Sequence, residues 1–566
     1  MTRIRIARRV YHLRVTSKGS GRPGFLILIV VLLGAAFVRY SDLAGRGIGH
    51  IEMYTPNIPL PAGISDPPPR LTLVSTLTGS LWEPHPPAWY LAIYPWTKVF
   101  GVSPVALRLP SVIAGVFGVL LVWWFASRER SQPVALVAAA LVAANGLHIM
   151  WSQLSRPVIF VSTIGIASSI VLLRLVGSQA RGRLAVYLCL SLAGLATDHY
   201  YWFLFGGQLV WVFLLSRRWP ALGGLVDWQL AAMAVASPLI TLASAQSRES
   251  YLGSSLLETA MNYAGFGLLF QTVESTHPAA AWLPILAVAF GLVLAISGFV
   301  RSPPAVVPES ASISPPGAAL TLLVGAGAIG AVAATAFILS SAGMGRLTRM
   351  LATAVAPVLF LLLARVIRRL PWPRLAAVPP LSSILCTVPV VTVFAISLAM
   401  PFVDTKYFLL FTPFVLIQIA EGLTGILESR TTPVRALGLA ALILAATLHW
   451  SSWQLYRGVD ATPIDFRALI ADLEPALAPE DRFLVYKHYA MTPVFYYLHR
   501  DPSRYVAVNH AAIRQDGPSR LWLISLRDTG IDDPPGYALA TAGCQLTQTI
   551  TARRIRAERY EHCPAR

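Results

Sequence analysis

The chain has 566 residues, of which 55% are hydrophobic and only 13% charged, with a mean hydropathy of +0.60. A soluble domain carries about a quarter of its residues as charges, so this composition excludes a soluble enzyme and reads as a polytopic membrane protein. The formal net charge of +18 does not point to nucleic acid. Arg3, Arg5, Arg8, Arg9, Arg14, Lys18 and Arg22 precede the first apolar run with no acid among them, which is the pattern of a cytoplasmic anchor.

Residues 1–24 are therefore a basic cytoplasmic N-terminus. The apolar run from Phe25 ends without a small-residue cleavage site and is expected to remain as a helix. A span needs about 20 apolar residues. Runs near 25–40, 104–126, 134–151, 157–175, 184–200, 202–216, 228–246, 280–300, 317–340, 349–366, 380–400, 407–425 and 435–451 give about thirteen spans. Alternate connections are basic: Arg128/Arg130, Arg174/Arg181/Arg183, Arg217/Arg218, Arg301, Arg365/Arg368/Arg369/Arg374 and Arg430/Arg435 all fall on the inner side. Residues 25–451 thus read as a transmembrane domain with its first outer loop at 41–103.

An odd number of spans puts residues 452–566 on the outer face. There, 483–486, 505–508 and 521–526 read as short buried strands, with helices over 465–477 and 491–498 between them. The fold class expected is an α-helical polytopic membrane protein with a small C-terminal extracytoplasmic α/β domain. The Pro- and Ser-rich stretch 302–317 reads as a plain inner linker. No internal repeat is evident, which weakens a transporter built from duplicated halves.

Four cysteines occur, with no CxxC and no zinc spacing. Cys189 and Cys386 fall in apolar runs as small buried hydrophobes. Cys544 and Cys563 can pair if the tail lies outside the cytoplasm.

Chemistry is sought in the first outer loop, where acids, imidazoles and prolines sit between two apolar runs. Its ends are His50-Ile51-Glu52 and Glu83-Pro84-His85-Pro86-Pro87. A partly desolvated Glu52 is a general base for an acceptor; the alternative is a solvated loop acid. Glu83 and His85, held by three prolines, have donor atoms for a divalent ion, but two ligands do not make a site, and a structural turn is the other reading. Arg156, Arg248, Arg346, Arg349 and Lys406 sit at outer ends against the positive-inside rule and ask for an anion such as a lipid phosphate. Snorkelling, or a salt bridge such as Lys406 with Asp404, is the alternative. Asp198 and His199, at a helix corner, either face the cavity of Glu52 or cap the corner.

These residues carry a resemblance. His85-Pro86-Pro87-Ala88-Trp89-Tyr90, Phe100-Gly101-Val102-Ser103 and Leu107-Arg108-Leu109-Pro110-Ser111 resemble the N-terminal half of bacterial C-type glycosyltransferases of the protein-mannosyltransferase and aminoarabinose-transferase group. Trp151-Ser152-Gln153-Leu154-Ser155-Arg156 is similar to that group's Tyr-Ser-Gln-Glu-Ala-Arg segment, with Leu154 in place of the glutamate. Lys406-Tyr407-Phe408-Leu409-Leu410 through Pro413 is similar to its Arg-Tyr-Leu-Leu…Pro helix.

The resemblance implies an enzyme of the bacterial cytoplasmic (inner) membrane. It would pass a sugar, with inversion, from a polyprenyl-phosphate donor to a cell-envelope glycan, lipid or protein at the outer face. Glu52 matches the acid of the first-loop Asp-Glu motif, the base or the acceptor-orienting group, although Ile51 stands where relatives carry Asp. Glu83 matches the acid of the second motif, where some relatives bind a metal or the donor phosphate; with His85 it would hold any divalent ion, and no other cofactor is implied. Arg156, Arg346, Arg349 and Lys406 would hold the donor phosphate. His50, His85, Asp198, His199 and Tyr407 would line the acceptor and sugar cavity. The chain has no dinucleotide fingerprint, in keeping with a lipid-linked donor. The competing class is a transporter or a lipid or polysaccharide flippase, which would want ionisable groups deep in several helices.

Overall fold

The structure, a computed structural model, describes residues 22–45, 47–60, 69–80, 85–178, 180–239, 293–302, 378–399, 405–436, 438–440, 443, 465–485, 488–498, 505–507, 520–526, 543–552 and 555–562. The first apolar run is α1 (Arg22–Tyr40). The loop after it carries a 3-10 turn, His50–Tyr54, and two helices, α2 (Leu73–Ser80) and α3 (Ala88–Phe100). The next helix, α4 (Pro104–Glu129), starts where Ser103 accepts from the Ala106 N–H and Pro104 supplies a preset backbone angle.

The run expected as one span over 134–151 is two helices, α5 (Gln132–Ala144) and α6 (Gly146–Ser152), bent by 58°. Asn145 makes the break: it ends α5 in extended backbone, and its side chain accepts from the His148 N–H to start α6. Then follow α7 (Val158–Ser178), α8 (Arg181–Leu195), α9 (Tyr201–Arg218), α10 (Gly223–Ala236), α11 (Leu381–Ala399) and α12 (Thr412–Leu427), the last preceded by a 3-10 segment, Thr405–Leu410.

Among the described residues α1, α4 and α7 are long and apolar enough to cross a membrane, and the bent α5–α6 pair would be a fourth span. The protein is a mostly helical, multi-pass membrane protein. The runs at 317–340 and 349–366, and most of 280–300 and 435–451, lie outside the described residues.

Several buried polar side chains in this bundle pair with one another, as a low-dielectric interior favours. Tyr187 donates to Gln208 Oε1 at 3.0 Å, Gln208 donates to Ser168 and Ser169, and Gln229 donates to the Tyr187 hydroxyl. At one end of the bundle Glu129 accepts from the Leu381 and Ser382 N–H groups in the first turn of α11, and Arg130 donates to Ser302 and Ser382. The loop between α1 and α4 lies at the opposite end of α4.

The tail contains α13 (Phe466–Leu473), β1 (Arg482–Val485), α14 (His488–Leu498), β2 (Tyr505–Ala507), β3 (Arg520–Leu526), β4 (Gln545–Ala552) and β5 (Ile555–Glu561). The sheet order is β2-β1-β3-β5-β4, with β1 parallel to β2 and β3, and β5 antiparallel to β3 and β4. Leu469, Ile470 and Val494 from the helices pack on Trp522 and Ile524. The three expected strands fall on β1, β2 and β3; β4 and β5 are additional. Cys544 is disulfide-bonded, and Cys563 lies outside the described residues. Cys189 is exposed on α8, contrary to the buried placement expected, and Cys386 is half-buried.

The tail contacts the loop between α1 and α4. Arg467 of α13 donates to the Ala44 and Gly45 carbonyls. The Ile48 N–H donates to the Tyr497 hydroxyl of α14, and Tyr496 donates to the Val102 carbonyl.

Candidate active site

The 3-10 turn His50–Tyr54 carries Glu52 inward until it is fully buried. Its carboxylate meets Arg108, in the first turns of α4: Nε donates to Oε1 at 2.8 Å and Nη2 to Oε2 at 2.6 Å. This is the bidentate geometry that matches a guanidinium to a carboxylate. The Ser155 N–H also donates to Oε1, at 3.1 Å, and the Gly49 N–H to Oε2, at 3.3 Å. Arg108 further donates to the Leu43 and Gly47 carbonyls. Glu52 therefore has both oxygens engaged and pins the loop to the helix.

Arg156, just before α7, is 6% exposed. Its Nη1 donates to the Ile51 carbonyl at 3.1 Å, and its guanidinium lies 5.3 Å from the Tyr54 ring centroid. Arg70 lies against Tyr54 and Tyr90, at 5.8 and 4.9 Å, and donates to the Tyr54 carbonyl. Two cations thus share one aromatic ring at the loop's inner surface.

The Ala88 N–H donates to the Ala196 carbonyl at 2.9 Å, drawing the proline-rich end of the loop to the corner after α8. That contact brings His85 Nδ1 to 3.1 Å from Asp198 Oδ2, with the side chains 3% and 2% exposed. The Tyr200 N–H donates to Asp198 Oδ1 at 2.8 Å. Burial pushes the His85 pKa down to about 4; the nearby charges of Arg156 and Lys406 add to this, and the attraction of Asp198 does not offset them. For Asp198 burial acts upward, but His85 and the Tyr200 N–H outweigh it and hold the carboxyl below its usual range. At neutral pH an ionised Asp198 faces a neutral imidazole.

Lys406 belongs to the 3-10 segment Thr405–Leu410, which Ser162 of α7 secures by donating to the Leu409 carbonyl at 3.2 Å. Five expected residues are therefore gathered in one region: Glu52, His85, Arg156, Asp198 and Lys406. His199 is half-buried at the same corner as Asp198. His50 opens the 3-10 turn that carries Glu52, and Tyr407 follows Lys406 in its segment. Glu83, Arg346 and Arg349 lie outside the described residues.

Arg108 and Arg70 escape sequence reasoning in any functional role. The signal available for Arg108 was a charge inside the apolar run of α4, which is costly unless paired. An apolar cavity of about 400 Å³, open to the surface, lies along α3, α4 and α7, lined by Trp96, Pro110, Ile113, Phe117, Phe160 and Ile164. Phe160, four residues after Arg156, also packs against Trp89 at 6.4 Å.

Among the described residues no three His, Cys, Asp or Glu side chains converge to hold a metal ion. His85 already directs Nδ1 at Asp198. Glu83, the other residue expected to hold a divalent ion, lies outside the described residues.

Residues 64–197 match the family model of dolichyl-phosphate-mannose-protein mannosyltransferase. No curated protein matches the sequence. Among solved structures the chain is similar to ArnT from Cupriavidus metallidurans bound to undecaprenyl phosphate, at 14% identity and TM-score 0.43, covering 95% of this chain and 98% of that one. It is also similar to the archaeal oligosaccharyltransferase AglB from Archaeoglobus fulgidus in complex with an inhibitory peptide and a dolichol-phosphate, at 11% identity and TM-score 0.44, covering 90% of this chain and 70% of that one. Identities this low assign no residue. The matched segment 64–197, which takes in His85, Arg108 and Arg156, is similar to the dolichyl-phosphate-mannose-protein mannosyltransferase family, and the protein is a membrane glycosyltransferase.

Proposed function

We propose that the protein takes a sugar from a polyprenyl-phosphate donor at the extracytoplasmic face and passes it, with inversion, to an acceptor of the cell envelope. The observation that carries this reading is the placing of Arg156 and Lys406 around the buried His85–Asp198 pair, beside an apolar cavity. Cations serve a phosphate, and the cavity suits the start of a prenyl chain. Arg346 and Arg349 join the phosphate site on sequence grounds.

The acceptor oxygen or nitrogen attacks the anomeric carbon as the bond from that carbon to the phosphate oxygen breaks. The electron pair leaves with the lipid phosphate, whose charge Arg156 and Lys406 stabilise. The acceptor's proton passes to a carboxylate. Glu52 is fully hydrogen-bonded by Arg108 and two backbone N–H groups, and protonating it would strand a buried arginine. We assign Glu52 to positioning and Asp198 to the proton, with His85 orienting it. This reverses the priority that the sequence pattern gives Glu52. His50, His199 and Tyr407 are assigned to the acceptor side. Arg156 and Lys406 bring the positive charge that a divalent ion at Glu83 and His85 would bring, so the reading places no metal in the reaction.

The same reading keeps about thirteen spans, the bacterial inner membrane and an extracytoplasmic α/β tail. The disulfide-bonded Cys544 supports an oxidising compartment for that tail. Release of radiolabelled sugar from a polyprenyl-phosphate donor tests the reading. Arg156→Gln lowers the rate by about 100-fold at an unchanged thermal midpoint, and EDTA leaves the wild-type rate intact. An Arg156→Gln rate equal to wild type removes the phosphate site; an EDTA-sensitive rate restored by a divalent ion returns the metal to Glu83 and His85.

A further inference from the structure

Arg39, at the outer end of α1, is fully buried. Its guanidinium donates to the Ala143 carbonyl at 2.8 Å and the Val142 carbonyl at 3.2 Å, both in the last turn of α5. Those carbonyls belong to the last turn before the 58° bend, where helical partners run out. The same side chain donates to the Ala35 carbonyl and to Ser152 Oγ, and meets His148 Nδ1 at 2.8 Å. The chain on the far side of the bend returns the contact. Gln153, which caps the end of α6, places Nε2 within 3.2, 3.0 and 3.1 Å of the Val38, Arg39 and Ser41 carbonyls, the first two in the last turn of α1 and the third just past it.

Each helix end is thus capped by a side chain from the other. Two residues after Gln153 comes the Ser155 N–H that holds Glu52, and three residues after it comes Arg156 on the Ile51 carbonyl. Gly115 of α4 makes room for the joint: a Cβ there would lie 2.2 Å from Ser152 Oγ and 3.2 Å from Arg39 Nε.

We infer that Arg39 and Gln153 are positioning residues for the donor-phosphate site: they clamp the end of α1 to the broken α5–α6 helix and so hold Arg156 in register with the Glu52 loop. Neither side chain touches the substrate; each acts through the Gln153–Arg156 segment. The inference rests on the assignment of Arg156 to the donor phosphate.

The test is a double-mutant cycle on the KM for a radiolabelled polyprenyl-phosphate sugar, comparing wild type, Gln153→Leu, Arg156→Gln and the double variant in detergent. Residues that act through one another are non-additive, so Gln153→Leu raises KM about tenfold in the wild-type background and by no more than about twofold when Arg156 is already gone. Arg39→Met carries the same expectation should Gln153→Leu not fold. An equal KM rise in both backgrounds, or none in either, overturns the clamp while leaving the phosphate site standing. An Arg156→Gln protein with wild-type KM and rate overturns both.

Discussion

Glu52 and Asp198 are buried carboxylates at the same end of the bundle, and their partners separate them. Glu52 is held bidentately by the Arg108 guanidinium, whereas Asp198 faces an imidazole. Removing one member of a buried ion pair costs about 3–5 kcal/mol, because the other charge is left uncompensated. Glu52→Gln therefore lowers the thermal midpoint in differential scanning fluorimetry, and adding Arg108→Gln recovers part of the loss. A Glu52→Gln protein that melts with wild type would mean the pair is not buried. His85 gives a pH signature. With its pKa pushed down to about 4 from 6.5, the unfolded chain binds a proton below about pH 6.5 that the folded chain refuses until about pH 4. Stability falls as pH drops through that window and returns as it rises, by up to about 1.4 kcal/mol per pH unit. Asp198 contributes with the same sign at lower pH, and Arg156 and Lys406 are the cations facing the ring. His85→Gln flattens the midpoint profile between pH 4 and 6.5; a profile as steep as wild type would contradict the burial of the ring. At this scale the sequence was informative about which residues matter, since charges at outer helix ends are conspicuous. It was silent about pairing: nothing in the spacing of Glu52 and Arg108, 56 positions apart, says that one is spoken for by the other.

The α5–α6 bend is where element reading and structure diverge most. Hydropathy over 134–151 is continuous, so the run reads as one span, and the break at Asn145 depends on a side-chain cap and on Arg39 from a distant helix. Apolar periodicity registers neither. Strands β4 and β5 were illegible for a related reason: β4 is an edge strand with most of its residues exposed, so it carries no apolar run to mark it. By contrast β1 and β3 are almost wholly buried and announce themselves. The joint itself is open to test at Gly115. Gly115→Ala drives a methyl into Ser152 and Arg39, and overpacking of this kind costs about 1–3 kcal/mol. The expected outcome is a lowered midpoint together with a raised donor KM; a midpoint and KM both unchanged would show that the joint has slack.

For the whole molecule, the family-matched segment 64–197 supplies His85, Arg108, Arg156 and the approach to Asp198, while Lys406 arrives from a segment more than two hundred positions later and the tail rests on the loop from above through Tyr496, Tyr497 and Arg467. The site is therefore assembled from several stretches of chain on a helical frame, with Arg156 and Lys406 around the buried His85–Asp198 pair. The most direct measurement of that arrangement is the single-turnover rate of sugar transfer from a polyprenyl-phosphate donor by Asp198→Asn and Glu52→Gln, each read beside its thermal midpoint. Asp198→Asn is predicted to fold and to lose about 100-fold or more in rate, while Glu52→Gln loses activity in step with its folded fraction. A folded Asp198→Asn protein turning over at the wild-type rate, beside a folded Glu52→Gln protein that does not, would contradict the account.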